Sequence, residues 1–184
     1  MKARMSVAAF IVPALAATLL LGSPATALSQ DRRDIRLADD VVRALHGYPR
    51  ITIFDDVNIV VESGIVTLTG KVTMPYKRDD IGRRVSSVDG VRELQNQIEV
   101  LPVSLHDDDL RYRIARAIYG NPSFWNYAAM ANPPIHIIVE RGRVTLTGVV
   151  NSNVERMLAR SLATGWGELS VTNELRTDAE IKIN

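Results

Sequence analysis

The segment Gly64-Ile65-Val66-Thr67-Leu68-Thr69-Gly70 returns as Gly142-Arg143-Val144-Thr145-Leu146-Thr147-Gly148, identical at six of seven positions and offset by 78. Duplication on this scale forces the chain to fold as two similar units. The flanks agree. Leu37, Val41, Ala44, Leu45 and Gly47 match Leu110, Ile114, Ala117, Ile118 and Gly120 at an offset of 73. Gly90, Leu94, Asn96 and Ile98 match Gly167, Val171, Asn173 and Leu175 at an offset of 77. The second copy therefore carries about five extra residues between its first helix and its hairpin, within 122–134. That stretch holds Phe124, Trp125, Tyr127 and Met130.

Each copy has the pattern helix, strand, strand, helix, strand. Leu37, Val41, Ala44 and Leu45 recur at helical spacing, and Asp34 and Asp107 are expected to cap the two first helices. Val57, Ile59 and Val61, like Ile135, Ile137 and Val139, alternate as strands with one buried face. Ser63-Gly64 and Arg141-Gly142 are tight turns in which Gly64 and Gly142 supply a positive φ. Gly70 shares the inward parity, which predicts a helix packed closely on the strand. Ile81, Val85 and Val88 form the buried stripe of the second helix in copy one, with Pro75 near its start. Val154, Leu158 and Leu162 do the same in copy two, after a Ser152-to-Glu155 capping box. Asn96 and Asn173 mark the closing strands, which a right-handed crossover makes parallel to the strands before them.

The predicted fold is α+β: two tandem αββαβ modules, each a small three-stranded mixed sheet with two helices packed on one face. The expected limits are 34–102 and 107–177, with a linker at 103–106, an N-terminal segment at 28–33 and a tail at 178–184.

Lys2 and Arg4, an uncharged apolar run over 6–21 and Ala25-Thr26-Ala27 have the layout of a cleavable secretory signal spanning 1–27. Removing Lys2 and Arg4 leaves 20 basic against 21 acidic residues, a formal charge of −1, so net charge gives no support for nucleic-acid binding. The sequence has no cysteine, so neither a disulfide nor a lipidated N-terminal cysteine is available. The expectation is a periplasmic protein that is not a lipoprotein, without a transmembrane span once the signal is removed.

The acidic-capped helix, the Gly-x-Val-Thr-Leu-Thr-Gly hairpin and the closing Gly-Val-x-x-Leu-x-Asn-x-Ile strand from Gly90 to Ile98 together resemble the BON domain. That family is named for an osmotically inducible periplasmic protein and for nodulation proteins. The resemblance covers both copies. It implies an αββαβ fold, a Gram-negative envelope location, no reaction, and binding to phospholipid surfaces or envelope proteins, with a link to envelope or osmotic stress. Copy two departs from the pattern in its longer connection and at Glu168, where the family has an apolar residue.

No catalytic constellation is legible. His46, His106 and His136 show no ligand spacing, with His136 on the outward parity of its strand. Asp107-Asp108-Asp109 is a cap plus first-turn carboxylates, and Asp55-Asp56 a solvated turn. No nucleotide or other cofactor fingerprint is present. The basic residues Lys77, Arg78, Arg83 and Arg84 in copy one, and Arg111, Arg113 and Arg116 in copy two, are candidate contacts to anionic headgroups or a partner. Trp125 and Tyr127 join them as interfacial aromatics, with Trp125 either a surface anchor or a plug of the module, and Trp166 a weaker candidate. The expected function is non-catalytic binding of anionic phospholipid, strengthened by avidity between modules. The alternative is a chaperone-like or adaptor protein that binds envelope proteins through sheet edges or the aromatic insertion.

Overall fold

A computed structural model describes residues 24–182, and the side chains of 30–181. The expected signal segment falls largely outside the described residues. Module 1 comprises α1 (Pro24–His46), β1 (Asp56–Glu62), β2 (Ile65–Val72), α2 (Pro75–Ser86), β3 (Glu93–Asn96) and β4 (Glu99–Val100). Module 2 repeats it with α3 (Leu105–Tyr119), a 3-10 turn (Pro122–Phe124), α4 (Trp125–Ala128), β5 (Ile135–Glu140), β6 (Arg143–Val150), α5 (Asn153–Leu162), β7 (Ser170–Asn173) and β8 (Arg176–Thr177). A short α6 (Asp178–Lys182) follows.

The sheets have the expected topology. β1 and β2 pair antiparallel with Ile59 opposite Leu68, and β5 and β6 pair likewise with Ile137 opposite Leu146. The closing strand runs parallel to the second strand but is interrupted, as β3 then β4 beside β2 and as β7 then β8 beside β6. Asn96 and Asn173 sit at the interruptions. Each donates to a carbonyl of the second helix, of Arg78 at 3.1 Å and of Arg156 at 2.8 Å. Their side-chain oxygens accept from the N–H groups of Ile98 and Leu175. One amide thus satisfies the break in the strand and ties the crossover helix to the sheet.

Two apolar cores result, one around Val41, Leu45, Ile59, Leu68 and Ile81, the other around Ile114, Ile118, Phe124, Ile137 and Leu146. Both hairpins are tight turns with positive φ at Ser63 and Gly64, and at Arg141 and Gly142. Pro75 occupies the first turn of α2, where its missing N–H costs nothing, and Ser152 caps α5 by accepting from Glu155 N.

Four local expectations are corrected. Asp34 lies inside α1 rather than at its start, and Ser104, not Asp107, caps α3. Both aspartates instead reach the hairpin turns. Asp34 accepts from the N–H groups of Ser63 and Gly64 at 2.8 and 3.0 Å, Asp107 from Arg141 and Gly142 at 2.8 Å each. The close neighbour of Gly70 and Gly148 is not a helix. A Cβ there would lie 2.2 Å from the carbonyl oxygen of Asp56 and 1.9 Å from that of Pro134, on the paired strand, and both glycines have positive φ. The buried line of α5 is carried by Ala159 and Ala163, while Val154 is 74% exposed and Leu158 and Leu162 are half-buried. The apolar face of α5 is rotated partly out of its core.

Candidate functional site

The first feature that sequence patterning missed is a buried ion pair in module 1. Asp55 and Lys77 meet at 2.6 Å, both almost wholly excluded from solvent. Four further groups organise around them. Asp55 accepts from the N–H and hydroxyl of Thr52, both at 2.8 Å, and from the N–H and hydroxyl of Thr73 at 2.8 and 2.9 Å. Lys77 also donates to the Thr73 hydroxyl. Burial pushes the Asp55 carboxyl up, but the Lys77 bond and the main-chain donors outweigh it and hold the group below the usual carboxylate range. Asp55 is therefore not a solvated turn, and Lys77 is not part of a basic surface. Together they fix residues 51–55 against the start of α2.

That loop joins the two modules. Ile53 and Phe54 pack against the second core, and the Phe54 ring meets Tyr112 edge-on at 5.3 Å. Ile137 N donates to Ile53 O at 2.7 Å, so the loop continues the sheet of module 2 past the edge of β5. Lys71 pairs with Glu140 across the junction. His136 has the outward parity expected of it, yet it is buried because module 1 covers that face. Its desolvation holds the imidazole below the usual histidine range, opposed in part by the Asp56 carboxylate and the main chain of Asp55 and Thr52. A cleft of about 400 Å³ between the modules is lined by Asp56, Lys71, Glu140, Arg143, Thr147 and Glu174, among others.

The candidate basic residues separate into two groups. Arg111, expected on the solvated face of α3, is buried. It donates to Val139 O at 2.5 Å and pairs with Asp108. Arg78 is half-buried against Asp79. Arg83 and Arg84 remain exposed on α2. Arg83 pairs with Asp80, and Arg84 lies over the Tyr48 ring at 4.9 Å. Arg50 stands over Tyr76 at 5.4 Å, making this end of module 1 a cluster of cations and rings. On α3, Arg113 is exposed and pairs with Asp109 at 2.7 Å, and Arg116 is exposed.

The aromatic insertion has two faces. Phe124 and Tyr127 turn inward and plug the module, which corrects the placement of Tyr127 among surface contacts. The Tyr127 hydroxyl donates to Glu155 at 2.6 Å and accepts from Asn151 N, binding the insertion to the start of α5. Trp125 turns outward, 63% exposed. Tyr112 and Leu105 on α3 are likewise exposed, at 64% and 88%. Leu105, Tyr112 and Arg116 fall on one stripe of the helix by its 3.6-residue period, with Arg113 beside it. Trp166 donates its ring N–H to Leu162 O, and Glu168 accepts from the N–H groups of Gly165 and Trp166. The departure at Glu168 thus serves a turn rather than a ligand.

Among the described residues no group of three or more carboxylates and histidines could hold a metal ion, and no helix is long and apolar enough to cross a membrane. None of the curated proteins compared matches the chain. Among solved structures, it is similar to CdsD, a structural protein of the type III secretion system of Chlamydia trachomatis, at 12% identity and a TM-score of 0.30. That match covers 80% of this chain and 96% of the other. A second structure, of the C-terminal domain of CdsD, matches at 16% identity and a TM-score of 0.28, over 61% of this chain and 51% of that one. The family model of the BON domain matches residues 32–102 and again 106–179, and the chain belongs to that family as a tandem pair.

Proposed function

We propose that this is a non-catalytic periplasmic protein that binds anionic phospholipid surfaces through the exposed stripe of α3 and the neighbouring Trp125. Family membership supports a non-catalytic, envelope-associated protein. The observation that carries the lipid reading is the exposure of Leu105 and Tyr112 on the stripe of α3 that holds Arg116, with Arg113 next to it and Trp125 exposed on α4. Amphipathic rings suit the headgroup region, and each basic side chain near an anionic surface contributes about 1 kcal/mol. Arg50, Arg83 and Arg84 on module 1 are a second, weaker contact whose value is avidity. The docking of Phe54 on Tyr112 makes the orientation of the stripe depend on the module junction.

Vesicle co-sedimentation tests this, using the chain without residues 1–27 against anionic and zwitterionic lipid. Binding is expected only to the anionic vesicles and to weaken with added salt. Trp125→Ala with Arg116→Ala should reduce it about tenfold while leaving the melting midpoint in place. Equal binding to both lipids, or full binding by the double variant, overturns the assignment to this stripe.

A further inference from the structure

We propose that the pocket where the end of α1 meets α2 in module 1 binds a terminal phosphate group, the dianionic head of a phosphomonoester, through Arg50, Arg83 and Arg84. This sharpens the second contact named above and does not depend on the stripe of α3.

Two segments build the pocket. After α1 ends at His46 the chain turns, with Tyr48 N donating to Leu45 O at 2.9 Å and Ile51 N to Tyr48 O at 3.4 Å. The turn buries the Tyr48 side chain and leaves Arg50 exposed. α2 supplies the rest. Tyr48, Pro49, Arg50, Asp80, Arg83 and Arg84 together line an open pocket of about 420 Å³.

Asp80 is the post around which the cations gather. It accepts from the Tyr48 hydroxyl at 2.7 Å and pairs with Arg83, and Arg50 stands 3.9 Å from it. The Tyr48 bond, then the charges of Arg83, Arg50 and Arg84, hold its carboxyl below the usual carboxylate range against the opposing effect of desolvation. The fields of all three guanidiniums thus converge on one group. Burial, and then the bond to Asp80, push the Tyr48 hydroxyl up to about 12, so it stays a donor. Three cations against one carboxylate leave a formal excess of two positive charges at the pocket. A phosphomonoester carries about −1.5 to −2 at neutral pH, whereas a phosphodiester or a carboxylate carries a single charge.

The guanidiniums are held in a way that leaves them free to bind. Arg84 lies over the Tyr48 ring at 4.9 Å and Arg50 over the Tyr76 ring at 5.4 Å. A ring beneath a guanidinium fixes it by its face and leaves its N–H edge available. That edge is the fork that meets two phosphate oxygens at once.

Basic residues are favoured in the last turn of a helix, which accounts for Arg83 and Arg84 as residue types. It does not account for Arg50, which comes from another segment, or for the rings beneath two of the cations. The second copy makes the same point. At the offset of 73, Tyr48 and Arg50 become Asn121 and Ser123. At the offset of 78, Tyr76, Asp80, Arg83 and Arg84 become Val154, Leu158, Ser161 and Leu162. The six side chains occur together in one module and are absent together from the other, as parts of one site would be.

The test uses the chain without residues 1–27. Magnetic resonance titrations follow the arginine Nε–H signals with glycerol 3-phosphate, and with dimethyl phosphate at matched ionic strength. The monoester should shift the signals of Arg50, Arg83 and Arg84 saturably, and the diester should leave them in place. A terminal phosphate can be carried by a lipid or by a soluble molecule, so a second arm uses phosphatidylcholine vesicles containing phosphatidic acid or phosphatidylglycerol at matched surface charge. Sedimentation with the phosphatidic acid vesicles should be the greater. Arg50→Gln with Arg84→Gln, both at exposed positions, should weaken monoester binding about tenfold. Tyr76→Ala removes only the seat of Arg50, should weaken it less, and serves if the double variant does not fold. The vesicle preference should persist in Trp125→Ala with Arg116→Ala, so failure of the α3 stripe and failure of this site are read separately. Response in both arms supports the site with a lipid as its ligand, and response to the soluble monoester alone supports it with a soluble phosphate. Equal response to monoester and diester, no response from the three arginines, or undiminished binding by the folded variants overturns the proposal.

Discussion

Asp107 holds Gly142 across the module: its carboxylate, on the first turn of α3, accepts from Gly142 N and Arg141 N at 2.8 Å each. These are the two residues at positive φ in the hairpin turn. Nearly all main-chain donors inside a protein must find a partner, and here a carboxylate on a helix supplies one for two donors of a strained turn. Asp34 repeats the arrangement on Ser63 and Gly64. The repeat is therefore closed by a helix-to-hairpin clamp as well as by its core.

Removing the clamp should be costly where it is buried. Asp107→Ala leaves two main-chain donors without their acceptor, with an expected loss of about 1–3 kcal/mol. Asp34, which is less buried, should cost less in the same substitution. Chemical denaturation of the full chain gives both values. Amide exchange at Gly142 should quicken in Asp107→Ala alone. Equal losses at the two sites would mean that burial is not what sets the strength of the clamp.

The ion pair in module 1 should stabilise the junction as well as the module. Asp55→Ala leaves the Lys77 ammonium buried without its carboxylate, an error that typically costs about 3–5 kcal/mol. Lys77→Met is milder, because the Thr52 and Thr73 donors still satisfy Asp55. Both should free residues 51–54 and speed exchange of the Ile137 amide, whose acceptor is Ile53 O. Unaltered exchange at Ile137 in Asp55→Ala would show that the loop is held by its apolar contacts alone.

The insertion separates structure from surface at adjacent residues. Phe124→Ala opens a cavity in the second core and should cost about 3–5 kcal/mol. Trp125→Ala, one residue along, should leave the melting midpoint within the error of the measurement, because its ring faces solvent. A marked drop in the Trp125 variant would show the ring to be part of the core.

The fold was legible because duplication fixes the element order twice and the periods of Val57 to Val61 and Leu37 to Leu45 are unambiguous. The charges were less so. A charged side chain is assigned to solvent by default, and that default fails at Lys77, Arg111, Asp55 and Asp107. A comparison of the copies carries the missing signal. At the offset of 78 Asp55 and Lys77 become Pro133 and Glu155, so neither half of the pair is kept without the other. Ile138, apolar on the outward parity of β5, likewise marks a face that something covers. What patterning could not give is the rotation of α5, since its stripe is present in the sequence and only partly used.

The junction should loosen in mild acid, and His136 is the reason. Its folded pKa is lowered by burial, so between that value and the unfolded value of about 6.5 the unfolded chain binds more protons than the folded one. The stability it contributes is therefore complete above about pH 6.5 and declines as pH falls below it. The groups around it are Asp55 and Asp56 from the start of β1, the main chain of Thr52, and Thr147 on the paired strand. Asp55, with its own pKa held low, stays charged through this window and limits the loss. His46 is shifted in the same direction by burial in module 1, so global melting alone would mix the two. Exchange of the Ile137 amide reports the junction itself and should accelerate on going from about pH 7.5 to 5.5, after correction for intrinsic rates. In His136→Gln that acceleration should vanish, and in His46→Asn it should persist. The opposite pattern would assign the pH dependence to module 1 and leave the junction insensitive to acid.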